Sequence, residues 1–338
     1  MKYIFIGDPH FKVSNIGVND LFAEQCIDIC KKYSDATIVL GGDILDTHER
    51  LHQIPYNRAL DFIDNLRKIN KVFILVGNHD YENNYQFLTN KHWMNPLKYW
   101  NNVTIVDKVI CENNVIFAPY VPPGRFLEAL DTQTSDWRES KCVFAHQEFK
   151  GCNLGSCKSE NGDKWPLHYP LIISGHIHKA HSPQPNIIYP GSVIQQNFGE
   201  ENNETNILLI DLKNNQFTKL PISIPKLKTL EIKCEDFEKT LKLLVIKPLQ
   251  KIRIVCIGEE EKIKRIKKTN LFNNLPLGVT VHFKDTKLLN QHKNIQKIQF
   301  KTFSEFLKVQ ISSYDKSDKL FKLLDNISYG KSFKEICV

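Results

Sequence analysis

The chain has 338 residues, 41% hydrophobic and 25% charged, the proportions of an ordinary globular protein rather than a disordered or fibrous one. No apolar run reaches the roughly 20 residues needed to cross a bilayer, so no membrane is expected among its partners. The net charge of +7 is unevenly placed: residues 226–338 carry 24 Lys and Arg against 13 Asp and Glu, which suggests a polyanion partner, although a solvated lysine surface would read the same way.

In chain order, residues 1–7 hold one charge and a short apolar stretch without a signal-peptide cleavage site. They read as a first strand, and an intracellular protein is the expectation. Residues 37–40 and 71–76 read as two more strands. Between the three lie helical patterns at 19–33, with Phe22, Cys26 and Cys30 in register, and at 56–69, with Ala59, Ile63 and Leu66 on one face. A β-α-β-α-β order predicts parallel strands, and open parallel sheets carry their sites at the carboxyl ends of strands.

Short strand-like runs follow at 103–106, 115–118, 142–145, 171–174, 187–189 and 207–210, punctuated by prolines, and suggest a second sheet packed on the first. The segment 219–228, with Pro221 and Pro225, reads as a linker. Beyond it, Ile252, Ile254 and Cys256 alternate as a strand, 259–270 reads as a helix, and Val279, Val281 and Phe283 alternate again. Two apolar helical patterns, at 303–314 and 320–327, close the chain. The nine cysteines are irregularly spaced, and Cys152 and Cys157 lack a second ligand pair nearby, so free thiols in a reducing compartment are expected. Length favours more than one domain. We expect residues 1–220, 221–285 and 286–338 to form three units.

Five blocks carry chemistry: Asp8-Pro9-His10, Gly42-Asp43-Ile44-Leu45-Asp46, Gly77-Asn78-His79-Asp80, His146, and Gly175-His176-Ile177-His178. Nearly all fall at the ends of expected strands. An Asp-x-His pair places both side chains on one face of an extended segment, because side chains alternate with period two. His176 and His178 alternate likewise. Two glycines before Asp43 let the backbone turn tightly there. Carboxylate, imidazole and amide donors together suit Mn, Fe or Zn better than Ca, and two ions beside a histidine suit phosphate-ester hydrolysis.

In this order the blocks resemble the calcineurin-like metallophosphoesterase pattern, over about residues 1–215. The resemblance implies an α/β metallophosphoesterase β-sandwich, two mixed sheets flanked by helices, with a small α/β capping domain and C-terminal helices. It implies two divalent ions, most naturally Mn2+. Asp8, His10, Asp43 and His178 would hold one; Asp43, Asn78, His146 and His176 would hold the other. His79 would be the unliganded catalytic histidine, oriented by Asp80 or Asp46.

Within that family the chain is most similar to the SbcD-type nuclease subunit of double-strand-break repair complexes, including phage recombination nucleases. Tyr189-Pro190-Gly191-Ser192 after the Gly-His-x-His block, the 252–283 unit and the terminal helices carry that likeness. It implies DNA as substrate, exonuclease with some endonuclease activity, and an SMC-like coiled-coil ATPase gripped by the terminal helices; we also expect a homodimer formed through the core. One departure is that many cellular members place a histidine where this chain has Asp46, with His48 two residues further on. Two other readings remain: a stand-alone phosphatase of a small phosphoester, needing no partner, and a non-enzymatic scaffold, which loss of the ligands would mark.

Overall fold

The computed structural model describes residues 1–286, apart from 134, 135 and 156, together with Ile311. The expected helices at 303–314 and 320–327 therefore lie, Ile311 aside, outside the described residues.

The first half of the chain builds strands β1 (Lys2–Ile6), β2 (Thr37–Leu40), β3 (Val72–Leu75), β4 (Val103–Val106), β5 (Ile110–Glu112), β6 (Val115–Phe117) and β7 (Cys142–Ala145), with helices α1 (Ile16–Lys32), α2 (Gln53–Arg67) and α3 (Phe126–Leu130). A two-stranded ribbon follows, β8 (Asn153–Leu154) and β9 (Cys157–Lys158). Then come β10 (Leu171–Ser174), β11 (His181–Gln184), β12 (Ile187–Tyr189), β13 (Asn206–Asp211) and β14 (Gln216–Pro221). The remaining elements are β15 (Lys228–Lys233), α4 (Phe237–Leu243), β16 (Ile252–Gly258), α5 (Glu260–Lys267), α6 (Asn270–Asn273) and β17 (Val279–Asp285).

Two six-stranded sheets result, in the orders β14-β13-β1-β2-β3-β4 and β11-β12-β10-β7-β6-β5. In the first, β1 to β4 are parallel, as the alternating helices require, while β13 and β14 join antiparallel. The second is mixed in the same way: β6, β7, β10 and β12 are parallel, and β5 and β11 are antiparallel edges.

The strands are apolar on both faces because both faces are covered. Ile4, Ile6, Ile38, Leu40, Val72 and Ile74 face α1 and α2, burying Phe22, Cys26, Phe62 and Ile63. Their neighbours Tyr3, Phe5, Val39, Phe73 and Leu75 face the other sheet, meeting Phe117, Phe144 and Ile173. That second sheet buries Ile116, Val143 and Ile172 on its outer side against Phe126, Trp137 and Trp165. The result is the four-layered α/β sandwich expected from the element order. Every described cysteine is a free thiol, and among the described residues no helix is long and apolar enough to cross a membrane.

The expected linker at 219–228 is shorter than its prolines suggested. Pro221 ends edge strand β14, where a missing N–H costs no ladder bond, and β15 starts at Lys228. Within the connection Ile222 and Ile224 are buried. The strands β15 to β17 form a separate parallel sheet in the order β15-β16-β17. Helices α4 and α5 cover it through Phe237, Ile263 and Ile266. Its first strand and α4 were not anticipated, because Lys228–Lys233 and Phe237–Leu243 mix lysines evenly with apolar residues and only neighbours decide their state.

Candidate active site

All five blocks follow the carboxyl ends of strands: β1 leads into Asp8 and His10, β2 into Asp43, β3 into Asn78 and His79, β7 into His146, and β10 into His176 and His178. Because these strands are parallel within each sheet and the sheets are packed face to face, the blocks meet at one end of the sandwich. Two clusters form, Asp8 with His10 and His178, and Asp43 with His146 and His176, each with donor atoms within 4.8 Å of one another. Asp43 faces both: its Oδ2 lies 3.6 Å from His10 Nε2 and its Oδ1 lies 3.4 Å from His146 Nε2. Asn78 Oδ1 completes the second cluster at 2.9 Å from His176 Nδ1 and 3.1 Å from His146 Nε2.

The donors fit cations. His146 Nδ1 donates to the Gly41 carbonyl at 2.6 Å, and His178 Nδ1 donates to Glu200 Oε1 at 3.0 Å. Assigned from those partners, each ring, when neutral, turns a bare Nε2 lone pair inward. His178 Nε2 then meets His10 Nε2 at 3.1 Å. His146 Nε2 meets the oxygens of Asn78 and Asp43. Asp8 Oδ2 is fully buried without a hydrogen-bond partner, while its Oδ1 accepts the His176 backbone N–H at 2.8 Å. Lone pairs converging without protons between them repel one another unless positive charge sits among them.

A sequence model for the calcineurin-like phosphoesterases matches residues 1–180. The chain belongs to this family. It is 48% identical to a protein named "Putative phosphoesterase 244L" of Invertebrate iridescent virus 6, over 80% of this chain and 98% of the viral protein. It is 44% identical to "Putative phosphoesterase 078R" of Invertebrate iridescent virus 3, over 84% of each. This calcineurin-like phosphoesterase is thus a hydrolase of phosphate esters, from a family that works with divalent metals.

The site of this phosphoesterase stores backbone strain. Asp8, His10, Asp43 and His176 adopt φ of 44°, 41°, 51° and 76°, left-handed values that side chains with a Cβ rarely take. Such outliers persist where surrounding structure over-determines them, and they cluster at functional sites. Gly42, at φ 98°, lies where a methyl group would strike the His146 ring.

The carboxylates favour positive charge at this place, whether a proton on His146 or a cation. Burial opposes charge on His146, but the carboxylates of Asp43 and Asp8 outweigh it and lift its pKa to about 9. Burial, reinforced by the neighbouring His146, drives His176 down to about 3. Burial likewise lowers His10. Burial works against ionised Asp43, yet the His146 imidazole holds it well below the usual carboxylate range.

His79 is only half buried, beside both clusters. Its N–H donates to Asp43 Oδ1 at 2.9 Å, its ring meets His10 edge-on at 5.0 Å, and it stacks on His48 at 4.8 Å with planes 12° apart. The orientation expected from the carboxylate of Asp80 or Asp46 takes another form. Asp80 is buried and spent elsewhere: it accepts Gly77 N–H at 3.0 Å, Ile44 N–H at 3.1 Å, Leu45 N–H at 3.4 Å and Trp93 Nε1 at 3.0 Å. The Asp46 carboxylate turns to His10 Nδ1 at 3.4 Å and Lys12 Nζ at 3.2 Å. What holds His79 is the main-chain oxygen of Asp46, 2.7 Å from Nδ1.

Sequence reasoning missed Glu200, Trp93, Tyr120 and the Gly41 carbonyl. Tyr120 walls the second cluster, 5.7 Å from the His176 ring. None sits at a ligand-like spacing, so only the fold reveals them. Lys179 is exposed at the rim of a cleft beside His178 and Glu200, and Arg50 is exposed as well.

Proposed function

We propose that this phosphoesterase is a phosphodiesterase acting on DNA, loaded with two Mn2+ ions and working with a coiled-coil ATPase in recombination or repair. The observation that carries the reading is the pair of facing donor clusters that share Asp43, with the half-exposed His79 beside them. When bound, two divalent ions would polarise phosphoryl oxygens and lower the pKa of water toward neutrality.

The chain's own residues do the rest. In this reading Asp8, His10, Asp43 and His178 hold one ion, and Asp43, Asn78, His146 and His176 the other. The Asp46 carbonyl holds the Nδ1–H of His79, which leaves Nε2 as the nitrogen available for proton transfer. From there His79 holds or passes a proton to the departing oxygen of the ester, the work of a general acid. Buried Asp80 tethers the turn that carries Asp43.

DNA is supported by the basic balance of residues 226–338 and by Tyr189-Pro190-Gly191-Ser192 and the 252–283 unit, which resemble the SbcD-type branch. The ATPase partner rests on the apolar patterns at 303–314 and 320–327, which offer a stripe suited to a groove or another helix. A homodimer through the core is part of the same reading. The competing reading, hydrolysis of a small phosphoester without a partner, draws on Asp46 in place of a histidine.

The test is one preparation assayed with Mn2+ on end-labelled duplex DNA and, in parallel, on p-nitrophenyl phosphate. Degraded DNA with slow release of nitrophenol supports the nuclease. Rapid phosphomonoester turnover with intact DNA overturns it.

A further inference from the structure

His178 is held from behind by a turn that is itself gripped from the small sheet. Phe198–Glu200 forms a single 3-10 turn after β12. At three residues per turn, Phe198 and Glu200 point to different sides. The Glu200 carboxylate, 12% exposed, accepts His178 Nδ1 at 3.0 Å, Asn197 Nδ2 at 2.7 Å and the Gln196 N–H at 2.7 Å. Carboxylates behind a ligating imidazole fix its tautomer and ring orientation. On its other side the Phe198 ring lies under the Arg253 guanidinium of β16, 4.7 Å from its carbon.

Arg253 is committed to that place. Its Nη2 donates to Thr229 Oγ1 of β15 at 3.2 Å, and its Nε–H is buried without a hydrogen-bond partner. A buried N–H left unpaired costs free energy, so the stacking must offset it. The same loop is tied down once more through buried Gln195. Its Nε2 donates to the Glu201 and Asn203 carbonyls at 2.9 and 3.0 Å, and its Oε1 accepts the Leu227 N–H at 2.8 Å, one residue before β15.

We propose that Phe198 and Arg253 are positioning residues for the metal site: the small sheet clamps the Glu200 turn, and the turn sets the ring of His178. The inference rests on the reading of His178 as a ligand. It makes ion affinity at the Asp8, His10 and His178 cluster depend on how β16 seats against the loop, whereas the Asp43, His146 and His176 cluster lacks that tie.

Calorimetric titration of the full-length chain with Mn2+ tests it, with thermal melting as a check on folding. Glu200→Ala is expected to weaken one of two binding events by about 10–100-fold, the usual worth of such a partner. Phe198→Ala and Arg253→Ala are expected to weaken the same event by about 10-fold and leave the other unchanged. Phe198→Trp, which keeps a ring under the guanidinium, is expected to restore it. The double variant should be no worse than either single one, because the two residues act through one contact.

Normal affinity in Phe198→Ala and Arg253→Ala, with Glu200→Ala impaired, overturns the clamp and leaves the ligand reading standing. Normal Mn2+ affinity in both His178→Ala and Glu200→Ala overturns the ligand reading itself. Equal weakening of both events, or failure of Phe198→Trp to rescue, reduces the contact to ordinary packing and also overturns the clamp.

Discussion

His79 Nδ1 lies 2.7 Å from the backbone oxygen of Asp46, so a carbonyl rather than a carboxylate orients this histidine. A carbonyl accepts a hydrogen bond without bringing a formal charge. It therefore keeps a proton on Nδ1, which fixes the tautomer and leaves Nε2 as the working nitrogen.

His79→Ala is therefore expected to keep its bound metal and lose cleavage by about 10²–10⁴-fold, the range for a general acid. Asp46→Asn, which keeps the carbonyl, should lose far less. Metal content by atomic emission and initial rates check both. Lost metal in His79→Ala would mean that the ring is a ligand.

Asp80 sits among three backbone N–H groups and the Trp93 indole N–H. Burial, then the Asp43 carboxylate, pushes its pKa up to about 7, against the Trp93, Gly77 and Leu45 donors. Asp80→Ala is expected to cost on the order of 3 kcal/mol of stability, from donors left unpaired, and to weaken metal binding by displacing the Asp43 turn. Trp93→Phe removes one donor and should cost about 1 kcal/mol. Urea unfolding measures both, and equal costs would show that Asp80 matters only through Trp93.

Away from the site, Asp107 accepts Lys98 Nζ at 2.5 Å and His92 Nε2 at 3.2 Å. Burial opposes its ionisation, but these two partners prevail and hold its pKa at about 2, below the usual 3.8. A carboxylate depressed on folding stabilises the fold above its unfolded pKa and loses that contribution as pH falls through the folded one. Asp107→Asn is expected to cost about 2 kcal/mol at neutral pH, with the gap to the natural chain closing between about pH 4 and 2. A gap independent of pH in denaturant titrations would refute the ionic account.

Between the sheets, Phe117 stacks on Phe73 with centroids 4.0 Å apart and on Phe144 at 5.4 Å. Truncating it leaves a cavity that two facing sheets cannot close. Phe117→Ala is expected to cost about 3–5 kcal/mol, readable as a lowered urea midpoint. A loss under about 1 kcal/mol would mean that the layers collapse to fill the gap.

The β-α-β-α-β order, the strands at 37–40, 103–106, 142–145, 171–174 and 187–189, and the five site blocks are all legible in the chain, because each is a local pattern. An apolar run buried on both faces and a turn rich in Gly, Asp, Asn and His carry their own signals. Sequence order alone also placed the blocks at strand ends, from which convergence follows if the strands are parallel.

What the sequence could not decide is which groups stand behind the site. Glu200 reaches His178 from 22 positions away, Trp93 reaches Asp80 from 13, and the Gly41 carbonyl reaches His146 from 105. Such partners are selected by packing after the strands are laid side by side, and any residue of suitable shape can serve. The same holds for β14 and β15, whose mixed lysine and apolar residues become strands only against β13 and β16. Ligand identity is written locally because coordination chemistry demands particular atoms. Orientation comes only with the tertiary fold, because a hydrogen bond to the back of a ring is indifferent to where in the chain its acceptor originates.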